Sequence, residues 1–283
     1  MNFSAFVGEI EGNQWPVHGV QVYEKGSLAH EWGDTKTRYP IYSCTKTILS
    51  LAVGMAMDDG KVDIHQPLLR YLPEKAIREM DEVQRAVYAA LPVERLLCMS
   101  VCGYPFRLSG QGNWLREALS YPVQQERAFD YSNLSAYLVG VAVTEALQED
   151  VFGFLERRLL LPLGIDHPSC ERCTDGYFYG ATGMTLSVEE LSRIGLLLYQ
   201  GGQYGGQQLV SENYVKQMTA LQQPVLEEGY GYFLWRYRDG FSINGKWGQK
   251  CYILPRQEKM VTFLSHWEED TLPIKLSMEK QLL

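Results

Sequence analysis

Apolar and polar residues alternate over residues 17–23 and again over 28–32, with Glu24-Lys25-Gly26-Ser27 between them, a pattern that predicts a β-hairpin. A short helix over 3–12 is expected ahead of it. Residues 33–40 are polar and read as a loop. The run 47–58 is apolar and long enough for a helix, with Gly60 as its stop. Residues 61–73 read as a compact loop with a short helical turn. From 74 to about 170 the spacing is mainly helical: 76–88, 92–99, 114–119, 132–145 and 151–160, the last stopped by Pro162 and Gly164. The clearest 3.6-residue period is Leu134, Tyr137, Leu138, Val141 and Ala142. Ser187 and Glu190 form a capping box ahead of a helix over 191–200, ended by Gly201-Gly202, and a short helix follows over 211–219. Strand patterns then take over at 231–237, 241–244, 249–254 and 260–265, before a closing helix over 271–283. Strands at both ends and helices between them predict an α/β (α+β) chain, with one mixed sheet built from both termini and a helical insertion. The expected division is 1–74 with 175–283 as the α/β domain and 75–174 as the inserted helical domain.

Bulk composition narrows the function. At 283 residues and 46% hydrophobic the chain can bury a large core. Twenty-six Lys and Arg against 34 Asp and Glu leave a net charge of −8. That argues against nucleic acid or anionic membrane as a partner, since both require basic patches. No 18-residue apolar run suggests a membrane span. The first twelve residues have neither a basic nor an apolar segment of the signal-peptide kind, so a cytoplasmic location is expected. The six cysteines, Cys44, Cys98, Cys102, Cys170, Cys173 and Cys251, are then expected as free thiols. Cys170 and Cys173 have the spacing of half a zinc site, but Cys98 and Cys102 are four apart and no histidine pair completes a ligand set. No metal and no cofactor are expected.

Three loci carry possible chemistry. Ser43 and Lys46 lie one turn apart at a helix start, where the helix favours negative charge. A serine is a weak nucleophile until a base takes its proton, and a desolvated lysine can do so. Tyr131-Ser132-Asn133 opens the helix over 132–145, where a phenol near a lysine could serve as base and then acid, and Asn133 could orient Lys46 and hold a substrate carbonyl. Lys246-Trp247-Gly248 joins two late strands, and the N–H of Gln249 beyond it could pair with that of Ser43 as an oxyanion hole. Each locus alone has a plainer reading: a helix start, an N-terminal cap with Ser132 or Asn133, and a hairpin turn. His18, His30, His65, His167 and His266 are scattered with no carboxylate partner evident, and no G-x-S-x-G occurs, so a Ser-His-Asp triad is not expected.

Taken together, the loci resemble the serine β-lactamase and penicillin-binding-protein superfamily, some of whose members carry S-x-x-K with S-D-N and K-T-G. Tyr131-x-Asn133 in the middle place is similar to the class C branch with its esterase, amidase and nylon-oligomer-hydrolase relatives. The likeness extends to 42–47, 59–64, Pro67, 71–74, 96–100, 129–133, 161–165, 181–187 and 245–249, and so covers roughly 16–268. It implies a β-lactamase-like fold: an antiparallel sheet flanked by helices, built from both termini, with an inserted helical domain and a cleft at the junction. It further implies that Ser43 is acylated, that Lys46 and Tyr131 move protons and that Asn133 positions substrate. Lys246, Trp247 and Gly248 would line the substrate site, and the Ser43 and Gln249 amides would hold the oxyanion.

Two departures shape the expected substrate. Trp247 stands where β-lactamases use a small hydroxyl residue, and an indole there should crowd a fused-ring antibiotic. Val101-Cys102-Gly103 replaces the usual Ser-Gly. The expectation is a serine hydrolase acting on a small ester or amide. A β-lactamase or D-alanyl-D-alanine peptidase acting on a lactam or peptide is the alternative, and a silent ligand-binding relative is the non-enzymatic one. Tyr104, Trp114, Tyr177 and Trp247 are candidates for an aromatic lining of the cleft.

Overall fold

The computed structural model describes residues 1–110, 112–124, 126–225 and 229–283. Its central feature is an antiparallel six-stranded sheet in the order β2-β1-β10-β9-β8-β7. β1 (Val17–Glu24) and β2 (Ser27–Gly33) come from the front of the chain. β7 (Trp235–Tyr237), β8 (Gly240–Gly245), β9 (Gln249–Leu254) and β10 (Lys259–Ser265) come from its end. The first and last segments meet where β1 pairs with β10, Val22 opposite Val261. The fold is therefore mixed α/β, as expected from strands at both ends.

The strands at the sheet's centre read as near-continuous apolar runs because helices cover both faces. On one face Val20, Val22, Tyr252, Leu254, Val261 and Phe263 meet Phe6 and Ile10 of α1 (Phe3–Gly12) and Ile274, Met278 and Leu282 of α11 (Leu272–Leu282). On the other face Ile243, Cys251, Ile253, Met260 and Leu264 join a larger core that runs on through the helical part of the molecule. α9 (Val188–Tyr199) lies directly under this face, started by the Ser187–Glu190 capping box.

Two helices are buried on almost every side, as their apolar circumference requires. They are α2 (Cys44–Asp58) and α7 (Asn133–Leu147). Around them stand α3 (Glu74–Glu79), α4 (Glu82–Ala89), α5 (Val93–Leu97), α6 (Trp114–Ser120), α8 (Val151–Leu155) and, nearer the sheet, α10 (Glu212–Thr219). Two-residue strands β3 (Tyr39–Pro40) and β4 (Thr185–Leu186) pair just before α2, and β5 (Gln203–Tyr204) and β6 (Gln207–Gln208) form a small hairpin.

Three expectations change. The helix over 76–88 is two helices, because Asp81 and Gln84 make a capping box that starts α4 afresh. The helix over 151–160 is α-helical only to Leu155 and continues as a π-helical turn over Glu156–Leu160. The strand over 231–237 begins only at Trp235. Ahead of it Gly231 N–H donates to Leu234 O at 2.9 Å, and Phe233 sits at φ +56°, which folds the segment into a turn.

Candidate active site

The chain reaches α2 through a tight corner. Ile41 N–H donates to Met184 O (3.0 Å), extending the β3–β4 pairing, and Tyr42 then adopts φ +47°. A left-handed tyrosine costs on the order of 1 kcal/mol and persists only where its surroundings enforce it. This corner sets Ser43 at the N-terminus of α2, partly exposed, with its N–H free of any acceptor among the described residues. Gly245 packs against the same corner, where a Cβ would run into the Ile41 carbonyl and Cys44 Sγ. The glycine lets the sheet's β8–β9 end approach the serine.

Lys46 is 1% exposed. Its Nζ lies 3.2 Å from Ser43 Oγ and donates to Asn133 Oδ1 (2.7 Å) and Ala181 O (2.8 Å). Three neutral acceptors take its three hydrogens, and it forms no ion pair among the described residues. Burial pulls the ammonium down from 10.5 to about 7, with the Cys44 thiol opposing weakly. The positive ends of α2 and α7 add in the same direction, since Asn133 is the first residue of α7. Near neutral pH this amine can be free to accept a proton from Ser43.

Tyr131 is partly buried, and its ring centroid is 5.0 Å from Lys46 Nζ. Burial raises its hydroxyl to about 12, while the adjoining Ser43 hydroxyl acts the other way. Burial thus favours the protonated phenol, where a neighbouring lysine was expected to favour the phenolate. Lys46 faces the ring and loses its charge as pH rises through about 7, so its field weakens before the phenol could ionise. A phenol held protonated in this way can serve as a proton donor. Ser132 caps α7, with its Oγ accepting from Leu134 N–H (3.0 Å) and donating to Pro105 O (2.7 Å), and Asn133 N–H donates to Phe106 O (2.8 Å). The cap reading of Tyr131-Ser132-Asn133 holds at Ser132, and the same turn sets Tyr131 and Asn133 beside Lys46.

The third locus is a hairpin turn whose residues serve different ends. Gln249 is 1% exposed, and its side chain donates to Ser265 O (2.5 Å) and Lys246 O (3.1 Å) and accepts from Ser265 N–H (3.2 Å). Ser265 Oγ donates to Trp247 O (2.6 Å). Trp247 at φ +61° and Gly248 at φ +86° make the turn, and the indole packs edge-on against Tyr42, centroids 5.0 Å apart. Lys246 is exposed, with its Nζ 4.2 Å from the Trp247 ring centroid. The structure thus brings Ser43, Lys46, Tyr131 and Asn133 into one cluster, with the 246–249 turn joined to it through Tyr42 and Gly245.

Sequence reasoning missed several participants. Ala181 lies in a stretch, 181–187, that carried the family likeness, but nothing local marks its carbonyl as an acceptor for Lys46. Tyr179 stands beside Asn133, and burial raises its phenol to about 12. Of the four aromatics expected in the cleft, Trp247 packs on Tyr42 next to Ser43. Tyr104 bonds to buried Tyr88 (3.3 Å), Tyr177 to Glu145 (2.7 Å), and Trp114 packs on Tyr137 and Tyr179. The rings around Tyr131 are instead Phe106, Phe129, Tyr230 and Trp235. Two histidines do have carboxylate partners, His167 with Glu156 (2.7 Å) and His266 with Glu268 (3.2 Å), but no hydrogen bond ties either pair to a serine among the described residues. A cavity of about 630 Å³ opens elsewhere, lined by Lys75, Glu79, Gln84, Arg116, Asp175 and Tyr177 among others, with no nucleophile–base pair in it. Among the described residues no three metal-ligating side chains cluster, and no helix is long and apolar enough to cross a membrane.

Fold and sequence together define a member of the beta-lactamase family: the family's sequence model matches residues 10–275. The chain is a hydrolase of the beta-lactamase fold. It is 21% identical over 277 residues to the 6-aminohexanoate-dimer hydrolase of Paenarthrobacter ureafaciens, across 82% of this chain and 67% of that one. Its fold is similar to that of a beta-lactamase/D-alanine carboxypeptidase from Pseudomonas syringae, with a TM-score of 0.77, 11% identity, and 99% and 98% of the two chains covered. A penicillin-binding protein from Bacillus halodurans is likewise similar, with a TM-score of 0.72, 13% identity, and 97% and 99% covered.

Proposed function

We propose that this protein is a serine hydrolase that cleaves a small ester or linear amide through an acyl-enzyme on Ser43. The observation that carries the reading is a buried lysine, its ammonium pulled down to about 7, within 3.2 Å of a partly exposed serine hydroxyl. In acylation Ser43 Oγ bonds to the substrate carbonyl carbon as its proton passes to Lys46 Nζ. The bond to the leaving oxygen or nitrogen then breaks, and that atom takes the Tyr131 hydroxyl proton. Tyr131 recovers a proton from the Lys46 ammonium, so the net transfer is from Ser43 to the leaving group. Water reverses the sequence in deacylation: its oxygen joins the acyl carbon and one of its protons returns to Ser43. The N–H groups of Ser43 and Gln249 hold the oxyanion, and Asn133 holds Lys46 in place and faces the substrate. The linear amide is favoured because a relative is a 6-aminohexanoate-dimer hydrolase, and because the bulky Trp247 indole, packed on Tyr42 next to Ser43, would crowd a fused ring.

Fluorophosphonate labelling followed by intact mass spectrometry tests the reading. A single adduct on the wild-type protein, lost in Ser43→Ala, is expected. An equal adduct on Ser43→Ala sinks it, as does none on the wild type. Turnover of a chromogenic cephalosporin is expected to be slower than that of p-nitrophenyl butyrate by at least a hundredfold in kcat/KM, on the order of the discrimination a shaped pocket achieves. The reverse order would favour the lactamase alternative.

A further inference from the structure

Resting on the Ser43 acyl-enzyme reading, we propose that the aromatic surface around Tyr131, made by Phe106, Phe129 and Trp235, is the leaving-group subsite and selects flat, apolar leaving groups such as aryl alcohols or aryl amines. The departing atom must lie beside the group that protonates it. Lys46 is 1% exposed, with its Nζ enclosed by Asn133, Ala181 and Ser43, so a departing atom meets partly exposed Tyr131 before it can reach the amine. Tyr131 keeps its proton and is partly exposed. The surroundings of Tyr131 are therefore the surroundings of the leaving group.

Those surroundings are rings. Trp235 stacks within 18° of the Tyr131 plane at 6.0 Å, and Phe106 within 24° at 6.4 Å. Phe129 lies 6.4 Å from Tyr131 and 5.8 Å from Trp235, and Tyr230 backs the group at 4.9 Å from Trp235. Three separate segments supply these rings. Phe106 is held against the site by its carbonyl, which accepts the Asn133 N–H, yet its side chain is 58% exposed. An exposed ring fixed beside the proton donor, and continuous with half-buried Phe129 and Trp235, offers a flat partner an apolar face. Stacking on aromatic faces adds modestly per ring beyond area burial, so losing one ring should cost about tenfold in binding.

The test compares two esters that form the same acyl-enzyme: 2-naphthyl butyrate and vinyl butyrate. The ratio of their kcat/KM values within each enzyme reports leaving-group preference, and the acyl group cancels. That ratio is expected to fall about tenfold in Phe106→Ala and Trp235→Ala. Phe106→Leu, which keeps apolar bulk on an exposed residue and loses the flat face, should show most of the fall. A change of threefold or less in all three variants overturns the proposal, as does an equal slowing of butyryl-enzyme deacylation, from which the leaving group has already gone. In the wild type, 2-naphthol should slow fluorophosphonate labelling of Ser43, and Phe106→Leu should need about tenfold more of it; absence of protection also overturns the proposal. Absence of labelling itself would instead sink the Ser43 reading.

Discussion

Lys46 carries the conflict between stability and function in this molecule. Its folded pKa is lowered from 10.5 to about 7, so between those values the unfolded chain holds a proton that the folded chain has released. Stability must then rise with pH across that window, by at most about 1.4 kcal/mol per unit, with the full penalty present below about 7. Chemical denaturation at pH 7 and pH 10 should show this rise in the wild type and a smaller one in Lys46→Met, with activity lost in the variant. The same shift sets the activity profile. In the proposed mechanism Lys46 must be neutral and Tyr131 must keep its proton, which burial favours up to about 12. For a phenyl ester, kcat/KM should therefore climb tenfold per unit below a midpoint near 7 and stay level to pH 10. A decline between 8 and 10, with the protein still folded, would show that the acid is a group other than Tyr131. At this scale Ser43, Lys46, Tyr131 and Asn133 were all legible as residue types at helix starts. The direction of the phenol's shift was not, because it comes first from burial, which the assembled packing decides.

Among the elements, the turn between β8 and β9 shows how a hairpin becomes part of a site. Its two left-handed residues, Trp247 and Gly248, are held by Gln249, whose buried amide is spent on Ser265 and Lys246. Gln249→Leu would orphan a buried carbonyl and a buried N–H, at about 1–3 kcal/mol each. Thermal unfolding should shift down by several degrees, and kcat/KM should fall with little change in fluorophosphonate-reactive fraction, since Ser43 and Lys46 remain paired. An unchanged melting temperature would mean that the amide network is dispensable. Element identity was readable wherever a cap or a strong period marked it, as at Ser187–Glu190 and over 132–145. The break at Asp81 was readable too, because Asp81-x-x-Gln84 carries the same signal as Ser187-x-x-Glu190. The turn at Phe233 was not, because its partners are Met218 and Leu97, far away in the chain: Tyr232 N–H donates to the first and Phe233 N–H to the second.

At the scale of the whole molecule, the chain ends where it begins. Asn2 N–H donates to Gln281 O at 2.6 Å, and α1 and α11 share the apolar layer on one side of the sheet. A short glycine-serine linker between the ends, with a new opening between Gly205 and Gly206, should leave the fold intact. Those glycines sit at φ +58° and +81° in the turn of an exposed two-residue hairpin. The permuted protein is expected to unfold within about 5 °C of the original and to keep its fluorophosphonate labelling and ester turnover at the level of the unpermuted protein. Loss of both would show that the β5–β6 hairpin helps to hold the fold. The larger core passes without interruption from α9 and the sheet through α2 and α7 into α3–α6 and α8. Folding of the part over 75–174 by itself is therefore not expected.

The sequence by itself determined the class of fold, the two-ended sheet and the serine–lysine pair, because each is written in a local period or in residues one helical turn apart. The tertiary structure alone decided what surrounds the pair. Ser43-Cys44-Thr45-Lys46 places a lysine within reach of a serine. Whether that lysine is a solvated cation or a neutral base depends on Asn133 and Ala181, which come from elsewhere in the chain to bind it, and on the packing that excludes water. Desolvation is a property of the assembled interior, and no stretch of the chain carries it in advance.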